Sequence, residues 1–106
     1  MSDGEATWQR LGDELAASDP AISWSTMMGF PCLRYEGAFF ASLDHRNGDL
    51  VVKLSADDVA ARVAAGSGKP FAPAGKVFRE WVAIEPAEEE VWRTAMTDAL
   101  AFAKAA

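Results

Sequence analysis

Between Ile22 and Leu54 the apolar positions fall in short runs, broken at Gly29, at Glu36-Gly37 and at Asn47-Gly48. Runs of this length between tight-turn residues predict antiparallel strands, because a chain that doubles back over a short turn pairs with its own neighbour. The pattern places strands at Ile22 to Met28, where Ile22, Trp24 and Thr26 alternate with Ser23 and Ser25, then at Cys32 to Tyr35, Ala38 to Leu43 and Leu50 to Leu54. The last three, joined locally, make a meander. Gly29-Phe30-Pro31 reads as a break between the first strand and the second. A further strand is expected over Phe78 to Ile84, with Pro86 ending it.

Helical spacing appears on both sides of this region. Trp8, Leu11 and Leu15 recur at offsets of three and four, predicting a first helix over Glu5 to Ala17 that Ser18-Asp19-Pro20 stops. Gly12 inside it weakens a helix by about 0.5 to 1 kcal/mol relative to alanine, so its presence marks close packing there. Ser55-Ala56-Asp57-Asp58 has the outline of a capping box. It opens a short second helix with Val59 and Val63 on one face, and Gly66 supplies its stop. Gly66 to about Gly75 reads as a loop anchored by Phe71. The third helix, Ala87 to Ala103, has an acidic opening at Glu88, Glu89 and Glu90 and a stripe of Trp92, Ala95, Met96, Ala99 and Ala103. Together these elements predict an α+β fold. One domain spanning 1–106 is expected, with an antiparallel sheet of about five strands, an N-terminal helix, a short middle helix and a long C-terminal helix.

Composition agrees with a packed domain, since half of the 106 residues are apolar. The net charge of -6 is uneven: residues 1–33 carry -4, residues 34–81 carry +1 and residues 82–106 carry -3. Net negative charge repels phosphate backbones and disfavours nucleic acid as a partner, although the bases gather in the central segment. A single cysteine, Cys32, makes no internal disulfide, and the N-terminal sequence has no secretory pattern, so a cytoplasmic location is expected. No apolar run approaches the roughly 20 residues of a membrane span.

The chemistry on offer is sparse, and no catalytic residue, metal ligand set or cofactor is assigned. Gly66-Ser67-Gly68-Lys69-Pro70 lacks the spacing of a phosphate loop and carries proline where the magnesium-binding hydroxyl would follow the lysine. His45 belongs to a polar turn, and Cys32 to an apolar Phe-Pro-Cys-Leu context in which a thiol acts as a small hydrophobe. Trp8 and Trp92 read as core residues. The remaining constellation is Arg34, Lys53, Lys76 and Arg79, on or beside strands; core packing is the favoured reading of Trp24 and Trp81, and Trp81 joins the constellation, stacking on a ring or base, where it faces outward beside Arg79. The plain alternative has those bases pairing with Glu36, Asp49 and Glu80 to keep the sheet soluble.

Met28-Gly29-Phe30, the Glu36-Gly37 turn, Phe39-Phe40-Ala41, Leu50 to Lys53 and Arg79-Glu80-Trp81-Val82 together resemble the small domains of the TfoX N-terminal and MmcQ/YjbR-like group. The resemblance runs from about Ser25 to Phe102. It implies one α+β domain with an antiparallel sheet and flanking helices, and a label of DNA binding or competence regulation. It supplies no shared catalytic set.

Three roles are therefore in play. A non-enzymatic interaction or regulatory module, binding a protein partner or a second copy, is favoured. Nucleic-acid binding through Arg34, Lys53, Lys76, Arg79 and Trp81 is the first alternative. A small-molecule or enzymatic pocket near Cys32 or Arg79 is the second.

Overall fold

The computed structural model describes residues 3–27, 29–86 and 88–105. The order of elements is α1 (Asp3–Ser18), β1 (Ile22–Met27), β2 (Phe30–Tyr35), β3 (Ala38–Asp44), β4 (Asp49–Lys53), α2 (Ala56–Ala64), β5 (Lys69–Pro70), β6 (Trp81–Ile84) and α3 (Glu89–Ala105). The fold is α+β, as the hydrophobic pattern implies. The expected ends at Met28 and Ala87 lie outside the described residues.

All strand pairs are antiparallel, in the order β1-β2-β3-β4-β6-β5. The first four form the meander, and β6 crosses back to pair with β4. Among the described residues the sheet has six strands, in keeping with the about five expected; the sixth is Lys69–Pro70, read as loop, which adds a two-residue rung to β6. Several boundaries also move, and two of them bear on the site. Phe30 and Pro31 belong to β2 instead of breaking the chain before it, and β6 begins at Trp81 because Trp81 N-H donates to Phe78 O in a tight turn.

One face of the sheet carries the helices. Ile22, Leu33, Ala41, Leu43, Leu50, Val52, Val82 and Ile84 share a single core with Trp8 and Leu11 of α1, Val59 of α2, and Trp92, Ala95, Met96, Ala99 and Leu100 of α3. A bulge between Leu33 and Arg34 against β3 leaves Phe40 as the extra residue, so Phe40 and Ala41 both enter this core. Trp24 lies in the gap left by Gly12, and its ring meets Trp8 edge-on at 5.6 Å. Trp92 Nε1 donates to Glu85 O, which ties the start of α3 to the end of β6.

Candidate functional site

Residues on the other face follow from the register. Along one rung Ser25, Cys32, Ser42, Val51, Ala83 and Lys69 stand opposite one another across all six strands. Cys32, at 0 % exposure, is sealed, and burial pushes its thiol up from the ordinary value against weaker lowering effects of Arg34 and Ser25. That thiol is a packing group with little thiolate character. Ser42 is also buried, and its hydroxyl donates to Pro31 O at 2.8 Å.

The two ends of this face differ in charge. At one end Asp44 and Asp49 are direct cross-strand partners, 4 % and 2 % exposed. Like charges set opposite each other need counter-ions. Arg46 supplies one: its Nε and Nη2 donate to the Asp44 carboxylate at 3.0 and 2.9 Å, and its backbone N-H adds a third bond at 3.0 Å. The Arg46 hydrogen bonds hold the Asp44 carboxyl below its usual range against the opposing effect of burial. Lys69 supplies the other, its Nζ lying 2.9 Å from Asp49 Oδ2 and 3.5 Å from Glu85. Asp49 Oδ2 makes no well-aligned hydrogen bond, so this charge contact is what offsets its burial. His45, in the intervening turn, is exposed and lies against Phe30, with ring centroids 5.9 Å apart. Asp49 therefore pairs with Lys69, not with the bases that the sequence set beside it.

At the other end of the face the bases have no such partners. Arg34 stacks its guanidinium 4.2 Å over the Phe39 ring, and its Nε is buried without a hydrogen bond. Lys53 stands directly opposite Trp81. Lys76 and Arg79 lie on the exposed segment that leads into β6. Among the described residues, Arg10, Arg46, Arg62, Lys69, Arg93 and Lys104 each contact a carboxylate, whereas Arg34, Lys53, Lys76 and Arg79 do not. The expected pairing of these four with Glu36, Asp49 and Glu80 is corrected accordingly. The register joins Lys53 to Trp81 and puts Arg34 two strands away at the same end, while Lys76 stays on the loop.

Arg79 and Trp81 also line a groove of about 410 Å³ between α2 and the segment before β6. One wall is the α2 stripe of Ala56, Val59, Ala60, Val63 and Ala64, and the other is Val77 and Phe78. Val77 and Phe78 are 55 % and 42 % exposed, and Phe78 rests on Phe71 with centroids 6.0 Å apart. Arg79 is the one charged residue among those lining the groove. Sequence reading missed this site because it placed Phe78 inside a strand. The available signal was the apolar pair Val77-Phe78, held between Lys76 and Arg79 just after Pro73 and Gly75, where a turn leaves such side chains outside.

Among the described residues no group of three or more His, Cys, Asp or Glu is placed to hold a metal ion, and no helix is long and apolar enough to cross a membrane. No family model, curated protein or solved structure matches this chain.

Proposed function

We propose that this protein is a non-enzymatic interaction module that receives an acidic, amphipathic segment of a protein partner in the groove between α2 and Val77-Phe78. The observation that carries this reading is an apolar groove whose single charged lining residue, Arg79, has no carboxylate of its own. Exposed apolar side chains gathered in one groove favour a protein partner over bulk water. An unpaired guanidinium on the rim selects for acid, and Lys76 on the same segment adds to that field. The α2 stripe from Ala56 to Ala64 covers eight residue steps, about 12 Å at the helical rise, enough for two turns of a bound helix.

Selection from a random peptide library on the immobilised protein tests this reading. The expected consensus combines Leu, Ile or Phe with Asp or Glu. Phe78→Ser weakens the selected peptides about tenfold or more, as loss of a central apolar anchor does. The double change Lys76→Glu with Arg79→Glu turns the consensus from acidic to basic. A consensus without charge preference, or one indifferent to these substitutions, overturns the reading.

A second reading is favoured by one specific observation. The bases without carboxylate partners are the four nominated for phosphate contacts, and Trp81 and Phe39 stand beside two of them. If all four contact a single strand, affinity falls with salt with a log-log slope near about -3, at roughly 0.7 per phosphate. The quadruple alanine variant then flattens the slope. Absence of binding at low salt removes this reading and with it the DNA-binding label that the TfoX and YjbR-like resemblance implies.

A further inference from the structure

The two edges of the sheet are built differently. At the β5 edge the outermost strand is two residues long, carries the charge of Lys69 and ends in Pro70, three of the devices by which natural sheets discourage pairing. At the β1 edge the strand is six residues long, Ile-Ser-Trp-Ser-Thr-Met, with no charge, no proline and no bulge against β2.

The hydrogen-bond phase of β1 shows which groups it presents. Glu36 N-H donates to Ala21 O at 2.9 Å, so in the register of this hairpin Ala21 and Glu36 are a hydrogen-bonded pair. Alternation then makes Ser23-Arg34 and Ser25-Cys32 hydrogen-bonded pairs, and Ile22-Tyr35, Trp24-Leu33 and Thr26-Pro31 the others. Pro31, which has no N-H to give, falls in the second class, as the assignment requires. The backbone groups of Ile22, Trp24 and Thr26 therefore point away from β2. Ile22 N-H is taken up by Asp19 O at 3.0 Å, while no partner from the described residues meets the N-H of Trp24 or Thr26. The edge is also held in place: Trp24 is wedged onto Gly12 and Trp8 of α1.

We infer that β1 is the pairing edge of a symmetric homodimer, in which two copies join through antiparallel β1 strands into one continuous sheet. A twofold axis at Trp24 lets the two Trp24 residues exchange N-H···O=C bonds. Each Thr26 N-H then reaches the Ile22 carbonyl of the other copy, and Ile22 N-H keeps Asp19. The strand suits a second copy because it is neutral. Each chain carries a net charge of -6, yet self-pairing here sets no like charges opposite each other within β1, and Ser23 meets Ser25 on the face turned away from the helices. The contact is isologous and closes at two subunits. Because β1 is already ordered by α1, pairing requires little further loss of chain freedom.

Sedimentation equilibrium tests the inference, scanned from about 1 µM to about 1 mM because a small strand-to-strand interface is weak. The mass is expected to double across that range. Thr26→Pro removes an outward N-H without touching the β1-β2 ladder, so it is expected to stay monomeric throughout with an unchanged circular-dichroism spectrum. A second measurement covers the case in which that variant folds poorly. The pairing sets Ser23 diagonally opposite its own copy, at about 7 to 8 Å, so Ser23→Cys is expected to cross-link through a short bifunctional maleimide while buried Cys32 stays unreactive. A wild-type protein that remains monomeric to about 1 mM overturns the inference. So does a folded Thr26→Pro variant that still dimerises, or a Ser23→Cys variant that gives no cross-linked dimer. None of these outcomes bears on the groove.

Discussion

Gly12 has no room for a methyl group. A Cβ there would sit 2.4 Å from Cη2 and 2.6 Å from Cζ2 of Trp24, whose ring is pinned by Trp8. Gly12→Ala brings a helix-propensity gain of up to about 1 kcal/mol against an overpacking cost of about 1 to 3 kcal/mol. The net loss expected in urea denaturation is about 1 kcal/mol, whereas a gain would mean that the indole swings clear. The glycine was legible from the sequence as a misfit in a helix, although its neighbour was not. Asp44 and Asp49 were not legible as a pair at all, since a one-residue change in their turn would send one carboxylate to the opposite face. Their pairing has a pH signature. The folded pKa of Asp44 lies below its unfolded value because Arg46 hydrogen-bonds the carboxylate. The resulting stability is fully present above the unfolded pKa, near about 3.9, and is lost as pH falls through the depressed folded one. Asp44→Asn is expected to be less stable than wild type at neutral pH and to show a smaller fall in stability on acidification, read from denaturation midpoints between neutral and strongly acid buffers.

Helices were easier to find than strand ends. Periodicity placed α1, α2 and α3 because each buries one stripe on the same core. The cap of α2 was explicit as well: Ser55 Oγ accepts from Asp58 N-H at 3.1 Å, and Gly66 follows the helix with φ 77°. Ser55→Ala is expected to destabilise the protein by about 1 kcal/mol. Because α2 forms a wall of the groove, the same variant should bind groove-selected peptides more weakly, with the loss greatest in those reaching toward Ala56. Strand ends failed for local reasons. Pro31 read as a breaker, yet the β2-β3 ladder starts only at Cys32-Ser42, so no sheet hydrogen bond is forfeited at Pro31. Phe78 to Glu80 has the composition of a strand, but the Phe78 carbonyl accepts from Trp81 N-H and turns the chain, which is what leaves Phe78 in the groove wall. Neither outcome follows from propensity, because each depends on which neighbouring strand is in reach.

The groove and the free β1 edge lie at opposite ends of the sheet order, and that separation has a measurable consequence. β6 is the fifth strand counted from β1. In a dimer joined through β1 the two β6 strands are nine strand spacings apart, about 43 Å at about 4.8 Å each, before twist is considered. Two copies of a groove-binding peptide on one chain therefore gain from simultaneous engagement only when their linker spans that gap. An eight-residue Gly/Ser linker reaches at most about 29 Å when fully extended, and one of about 30 residues spans the separation with slack. Titration calorimetry above the dimer dissociation constant is expected to give the short tandem no more than the statistical gain of a second site. The long tandem should bind tighter by about 100-fold or more. Thr26→Pro should abolish that advantage while leaving single-peptide affinity unchanged, because the edge and the groove share no residue. A short tandem that matches the long one would place the two grooves side by side and refute dimerisation through β1, even if sedimentation had shown a dimer.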